Sequence, residues 1–173
     1  MVKALFLDRD GVINIEKDYL YKIEDFEFID GIFDICKYYQ NLGYIIIVVT
    51  NQSGIARKYY TEEDFSKLTS WMINEFSIHG IDIKKVYYCP HHPDISGKCS
   101  CRKPNPGMLL DASKDFNIDL KNSLLIGDKE RDIQAALNAG LNETYLFDEF
   151  NNIKTSEATK IVTKLEDIYS VNT

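Results

Sequence analysis

Four short segments carry residue types able to do one piece of chemistry together. In Asp8-Arg9-Asp10-Gly11-Val12, two carboxylates stand two residues apart, directly after the apolar run Ala4-Leu5-Phe6-Leu7. In extended chain such residues share a side, and Gly11 permits a sharp turn after them. One carboxylate can then serve as nucleophile and the other as general acid and base, both close to Mg²⁺. Thr50-Asn51-Gln52-Ser53-Gly54 offers a hydroxyl, two amides and a run of backbone N–H groups suited to phosphate oxygens. In Cys101-Arg102-Lys103-Pro104 the lysine can neutralise a phosphoryl group, and the arginine can grip oxygen anions at two points. In Gly127-Asp128-Lys129-Glu130-Arg131-Asp132, Asp128 can complete a hard-cation site, since Mg²⁺ takes its oxygens from a few carboxylates, phosphate and water. Asp132 reads equally as the first-turn acid of a helix.

A fifth cluster is of another kind. Cys89-Pro90-His91-His92-Pro93 followed by Cys99-Ser100-Cys101 gives C-x-H-x₇-C-x-C. Three thiolates and one imidazole suit tetrahedral Zn²⁺, and four protein ligands leave no open position, so the site is structural. Spacing alone leaves either His91 or His92 as the fourth ligand. Cys36, on the apolar face of a helix, reads as ordinary core.

The elements that must position these residues alternate strand and helix. Strands are expected at Lys3–Asp8, Tyr44–Thr50, Lys85–Tyr88, Ser123–Ile126, Glu143–Phe147 and Lys160–Val162, from short apolar, β-branched runs closed by polar turns. Helices are expected over Gly31–Leu42, from an N-cap at Thr61 to a stop at Gly80, from Pro106 with Leu109, Leu110 and Phe116 inward, over Glu130–Ala139, and as a closing helix at Lys164–Tyr169. Asn151–Ser156 alone looks loose. This alternation implies an α/β fold, a doubly wound and mostly parallel sheet with helices on both faces, whose ligands sit beyond the carboxyl ends of the strands. The four chemical segments end those strands or approach them, so they are expected to converge.

The 173 residues suit a single domain over 1–173. A net charge of −7 argues against a general nucleic-acid binder but leaves a small anionic substrate open, provided cations gather at its site. The longest apolar stretch, Tyr44 to Val49, is far short of the ~20 residues of a membrane span, and the N-terminal run meets charge too soon for a secretory signal. A cytoplasmic protein is expected. Disulfides are disfavoured there, so clustered cysteines point to metal. With no evident apolar seam, a monomer is expected.

D-R-D-G-V, T-N-Q-S-G, R-K-P and G-D-K-E-R-D, in this order over residues 8 to 132, resemble the four motifs of haloacid-dehalogenase (HAD) superfamily phosphatases. The resemblance implies Asp8 as nucleophile, Asp10 as acid/base, Thr50 and Lys103 as phosphoryl stabilisers, and Mg²⁺ held by Asp8, the Asp10 carbonyl and Asp128. It also prefers His91 over His92 beside Cys89, Cys99 and Cys101. Only 11–49 and 51–102 separate the motifs, which leaves no room for a folded cap. The zinc loop resembles the histidinol-phosphate phosphatase-like branch. Within it, C-P-H-H-P, T-N-Q-S-G-I-A-R, F-I-D-G and R-K-P-N-P-G-M-L resemble enzymes that release the 7-phosphate of D-glycero-D-manno-heptose 1,7-bisphosphate, on the route to nucleotide-activated heptose for bacterial surface glycans. Substrate contacts are then implied for Asp8, Arg9 and Asp10, for Glu16, Lys17, Asp18 and Tyr19, for Thr50, Asn51, Gln52 and Ser53, and for Arg102, Lys103 and Lys129, with Arg102 on the phosphate that is not cleaved. The segment His92–Lys98 is shorter than in many heptose enzymes, so histidinol phosphate or another small phosphate ester is the alternative substrate. A zinc-stabilised binding protein without turnover is the alternative of another class.

Overall fold

The computed structural model describes residues 1–170; residues 171–173, the end of the domain expected over 1–173, lie outside the described residues. In chain order the elements are β1 (Ala4–Leu7), α1 (Ile32–Asn41), β2 (Ile45–Asn51), α2 (Glu62–Ile78), β3 (Ile83–Cys89), the single turn α3 (Pro93–Ser96), α4 (Gly107–Phe116), β4 (Leu124–Gly127), α5 (Glu130–Ala139), β5 (Glu143–Phe147) and β6 (Lys160–Val162). The strands form one sheet in the order β3-β2-β1-β4-β5-β6, every pair parallel. This is the doubly wound arrangement, and its strand order reverses between β1 and β4.

The period of two along each strand divides the core into two layers. Leu5, Leu7, Ile46, Val48, Leu124 and Ile126 pack with Ile35 of α1 and Leu68, Met72 and Phe76 of α2. Their alternates Ala4, Phe6, Ile47, Val49 and Leu125 pack on the other face with Leu109 and Ala112 of α4 and Ile133 and Ala136 of α5. Both faces are thereby covered, as a parallel sheet requires. Local signals fix the helix ends. Thr61 and Asp64 form a reciprocal capping box, the Asp64 amide donating to Thr61 Oγ1 at 3.1 Å and the Thr61 amide to Asp64 Oδ2 at 2.9 Å. Gly140 ends α5 in the left-handed conformation, φ 101°.

Some local expectations are corrected. Pro106 stands at the N-cap of α4, one residue before the helix, and Leu110 is 37% exposed while Met108, Leu109 and Ala112 face inward. The helix meets the sheet along one stripe, and Leu110 lies outside it. The closing segment is a 3₁₀ turn, Leu165–Ile168, not an α-helix; its buried residues Leu165 and Ile168 are three apart and fall on one edge of that tighter turn. β3 begins two residues earlier than expected, at Ile83. Asn151–Ser156 has no regular structure. Among the described residues no helix is long and apolar enough to cross a membrane.

Candidate active site

The site lies at the carboxyl edge of β1, β2 and β4, at the point where the strand order reverses. The amide of Asp8 donates to the Ile126 carbonyl at 3.1 Å, which carries the β1–β4 ladder one residue past β1 and sets Asp8 beside the end of β4. Gly11 turns the chain there with φ 87°, and a Cβ on it would run into the Asp128 carboxylate. A Cβ on Gly127 would collide with the Asp132 side chain. Both glycines are therefore required by how closely the carboxylates approach, in addition to the turn at Gly11.

Lys103 is 2% exposed, and its ammonium sits between two carboxylates. Nζ donates to Asp8 Oδ1 at 2.9 Å and to the Val49 carbonyl at 2.8 Å, and pairs with Asp132 Oδ1 at 2.6 Å. Burial opposes the charge on Lys103, but Asp132 and Asp8 outweigh it and hold the pKa above its ordinary value. A second clamp fixes the backbone. The Lys103 amide donates to Asn51 Oδ1 at 3.0 Å, and Asn51 Nδ2 donates to the Lys103 carbonyl at 3.2 Å. The end of β2 thus sets the position of a lysine distant from it in sequence.

Asp8, Asp128 and Asp132 bring one carboxylate oxygen each within 4.8 Å of one another. Burial, then the neighbouring Asp132, pushes Asp8 well above the ordinary carboxylate range, with Lys103 opposing; burial and Asp132 also raise Asp128. Crowded, buried carboxylates are the donor set a hard dication relieves. Asp132 Oδ2 accepts the amides of Asp128 (3.2 Å) and Lys129 (3.0 Å), while Oδ1 lies 2.6 Å from Lys103 Nζ. The three carboxylates together are the side chains able to hold a cation.

The Asp10 carboxylate is held in a different orientation. It accepts from Arg9 Nη2 (3.0 and 3.1 Å), Asn14 Nδ2 (3.0 Å) and Gln52 Nε2 (3.1 Å). Gln52 also donates to Thr50 Oγ1 at 2.9 Å and accepts from the Tyr60 hydroxyl. One network therefore orients the acid and the threonine together.

Above this floor opens a cavity of about 320 Å³. Asp10, Glu16, Asp18, Tyr19, Asn51, Gln52, Ser53, Arg102 and Lys129 line it. Glu16 faces Asp10 and Asp128; burial first, then these two charges, lifts its pKa to about 7. Asp8, Thr50 and Lys103 lie buried beneath, at the base. The structure does not bring Arg9 or Lys17 to the cavity wall. Arg9 is buried under Asp10, where Nη2 also donates to the Leu20 carbonyl, and Lys17 pairs with Glu27 at 2.6 Å on the surface. Arg57, Tyr60 and Arg131 line the cavity without having been singled out, and Asn14 and Asp132 act from behind it. Arg57 stood inside the T-N-Q-S-G-I-A-R stretch; neither Asn14 nor Tyr60 carried any sequence signal.

The cysteine–histidine loop lies immediately before Lys103. Cys99 Sγ stands 3.5 Å from Cys89 and 3.6 Å from Cys101, and His91 Nδ1 stands 3.6 Å from Cys89 and 3.3 Å from Cys101. Cys89 and Cys101 themselves touch as a disulfide. A disulfide would use two of four donors that converge on one point, whereas zinc with arms of about 2.3 Å has S–S edges of about 3.7 Å, close to the other spacings. The donor set fits zinc. His92 turns away from the sulfurs, its Nε2 3.0 Å from Arg57 Nη2.

A doubly wound sheet carrying an aspartate after its first strand, a buried lysine and a second acidic strand end defines a phosphatase of the HAD class, and the HAD-hydrolase-like family matches residues 100–146. The chain is 56% identical over 147 residues to the D-glycero-alpha-D-manno-heptose-1,7-bisphosphate 7-phosphatase of Campylobacter jejuni, covering 85% of this chain and 83% of that one. It is 47% identical over 150 residues to the D-glycero-beta-D-manno-heptose-1,7-bisphosphate 7-phosphatase of Yersinia pestis, covering 84% and 80%. The chain belongs to this family of heptose-1,7-bisphosphate 7-phosphatases. The crystal structure of D,D-heptose 1,7-bisphosphate phosphatase from B. bronchiseptica, complexed with magnesium and phosphate, superposes with a TM-score of 0.84 at 28% identity, covering 96% of this chain and 95% of that one.

Proposed function

We propose that the protein is a magnesium-dependent phosphatase that releases the 7-phosphate of D-glycero-D-manno-heptose 1,7-bisphosphate through an aspartyl phosphate on Asp8. The observation that carries the reading is the buried Asp8–Lys103–Asp132 array beside Asp128 at the strand reversal, in a chain 56% identical to a phosphatase of that name. Asp8 attacks phosphorus, the bond from phosphorus to the sugar oxygen breaks, and Asp10 gives its proton to that oxygen. Asp10 then takes a proton from water, which attacks phosphorus and breaks the bond to Asp8. Lys103 and Thr50 bind phosphoryl oxygens, and the donors on Asp10 keep its carboxyl in place for both proton transfers. Asp8, Asp128 and the main-chain oxygen of Asp10 would hold magnesium, which would supply charge neutralisation at the phosphoryl group. The substrate is small and anionic, and we place the reaction in the cytoplasm on a monomer.

Phosphate release from heptose 1,7-bisphosphate, histidinol phosphate and fructose 1,6-bisphosphate tests the substrate. The heptose ester should give the highest kcat/KM, at least tenfold above the others. A tenfold advantage for histidinol phosphate overturns the substrate, and release from none overturns the activity.

Zinc on Cys89, His91, Cys99 and Cys101 supplies order to a loop with little apolar surface, a structural zinc contributing about 10–16 kcal/mol in small peptides. Because Cys101 directly precedes Arg102 and Lys103, Cys99→Ser should empty the site, read as zinc content by metal analysis, and lower kcat/KM at least tenfold although Cys99 does no chemistry. Full zinc occupancy with unaltered kinetics would refute the clamp.

A further inference from the structure

Three guanidinium groups gather on one side of the cavity. Arg57, Arg102 and Arg131 all line it, and among the described residues none of them forms an ion pair with a carboxylate. Arg102 lies within electrostatic reach of both Arg131 and Arg57. Like charges without a counterion are unfavourable at this range. Arg131 is placed against a second field as well. It occupies the first turn of α5, where the helix dipole favours acids. Arg57 is held at the cavity from two sides, its Nη2 3.0 Å from His92 Nε2 and its guanidinium 5.8 Å from the Tyr19 ring centroid, while its buried Nε has no partner. Glu16 lies toward the other acids, Asp10, Asp128 and Asp18.

We infer that Arg57 and Arg131 join Arg102 in a clamp for the phosphate of the substrate that is not cleaved, and that His92 is the positioning residue that holds Arg57 to it. The inference rests on the proposed bisphosphate substrate. A phosphate monoester presents three oxygens and close to two negative charges, which matches planar N–H forks and removes the repulsion among them. His92 follows His91 directly, so the zinc loop sets one wall of the clamp as well as Lys103.

The test is the ratio of kcat/KM for heptose 1,7-bisphosphate to that for heptose 7-phosphate, which lacks the second phosphate. Arg131→Ala and Arg57→Lys should each lower this ratio at least tenfold, through KM on the bisphosphate, and the double variant should lower it further. His92→Ala should reproduce the Arg57 effect with zinc content unchanged, and His92→Gln, whose amide oxygen can accept from Arg57, should restore most of the ratio. Arg131 is exposed, so its replacement leaves folding out of the result. An unchanged ratio in Arg131→Ala and Arg57→Lys overturns the clamp. If the unaltered protein hydrolyses neither heptose ester, the substrate assignment fails, and the ratio for fructose 1,6-bisphosphate over fructose 6-phosphate in the same variants decides the clamp by the same criterion.

Discussion

Asp8→Asn removes turnover while leaving the fold standing: kcat for phosphate release falls by at least ~10⁴-fold, on the scale of losing a nucleophile in other hydrolases. Asparagine keeps an oxygen that accepts from the Arg9 amide and from Lys103, both now at 2.9 Å on Asp8 Oδ1. It also lacks the charge that burial and Asp132 disfavour. The pKa of Asp8 is raised in the folded state, so at neutral pH its ionisation weakens folding, and the neutral amide removes that cost. In metal-free buffer the variant should therefore melt at or above the Tm of the unaltered protein. Acid quench during turnover followed by intact-mass analysis should show a phosphoryl adduct on Asp8 and none in the variant. Activity above about one percent, or an adduct on another residue, would end the aspartyl-phosphate mechanism.

Lys103→Met has the largest combined effect on stability and rate. The substitution preserves volume and removes the cation between two buried carboxylates, Asp8 at 2.9 Å and Asp132 at 2.6 Å. Breaking a buried pair costs about 3–5 kcal/mol, which for a chain of this size lowers Tm by roughly 6–20 °C. The phosphoryl oxygens lose their fixed charge as well, so kcat falls by about 10³-fold or more. The stability loss should shrink as pH is lowered toward the carboxylate range. A carboxylate whose folded pKa is raised favours the fold when protonated, and this contribution is lost as pH rises through the raised value. Lys103→Met combined with Asp132→Asn should recover part of the Tm and none of the rate. Recovery of both would show that Lys103 acts only as a structural counterion, and an unchanged Tm in the single variant would contradict the buried pairing.

The proposed clamp and the cysteine–histidine loop give this arrangement a shared logic. Lys103 and Arg57 reach the cavity from different segments, and both are held from the cysteine–histidine loop or its neighbours, Lys103 by sequence adjacency and Arg57 through His92. A bisphosphate can then be fixed at two points without a covering domain.

What could be read from the residues in order was whatever is encoded locally. Apolar runs of period two gave the strands, Thr61 and Gly140 gave helix ends, and polar residues at or directly after strand ends marked Asp8, Asp10, Thr50 and Asp128, because the end of a strand in a parallel sheet has one side to face. The convergence of Cys89, Cys99 and Cys101 was likewise legible, since a set able to hold a metal must be of fixed type and close in chain. Tertiary structure alone decided the contacts between segments far apart. It turned Arg9 inward beneath Asp10 and made Asp132 a partner of Lys103 as well as a helix acid. It set His92 against Arg57, while His91 beside the sulfurs was what the resemblance had implied, and it carried Arg57 and Arg131 to one wall. The physical reason is that a side chain's direction beyond a turn is set by what occupies the space around it, and that space is filled by segments whose approach no local pattern records.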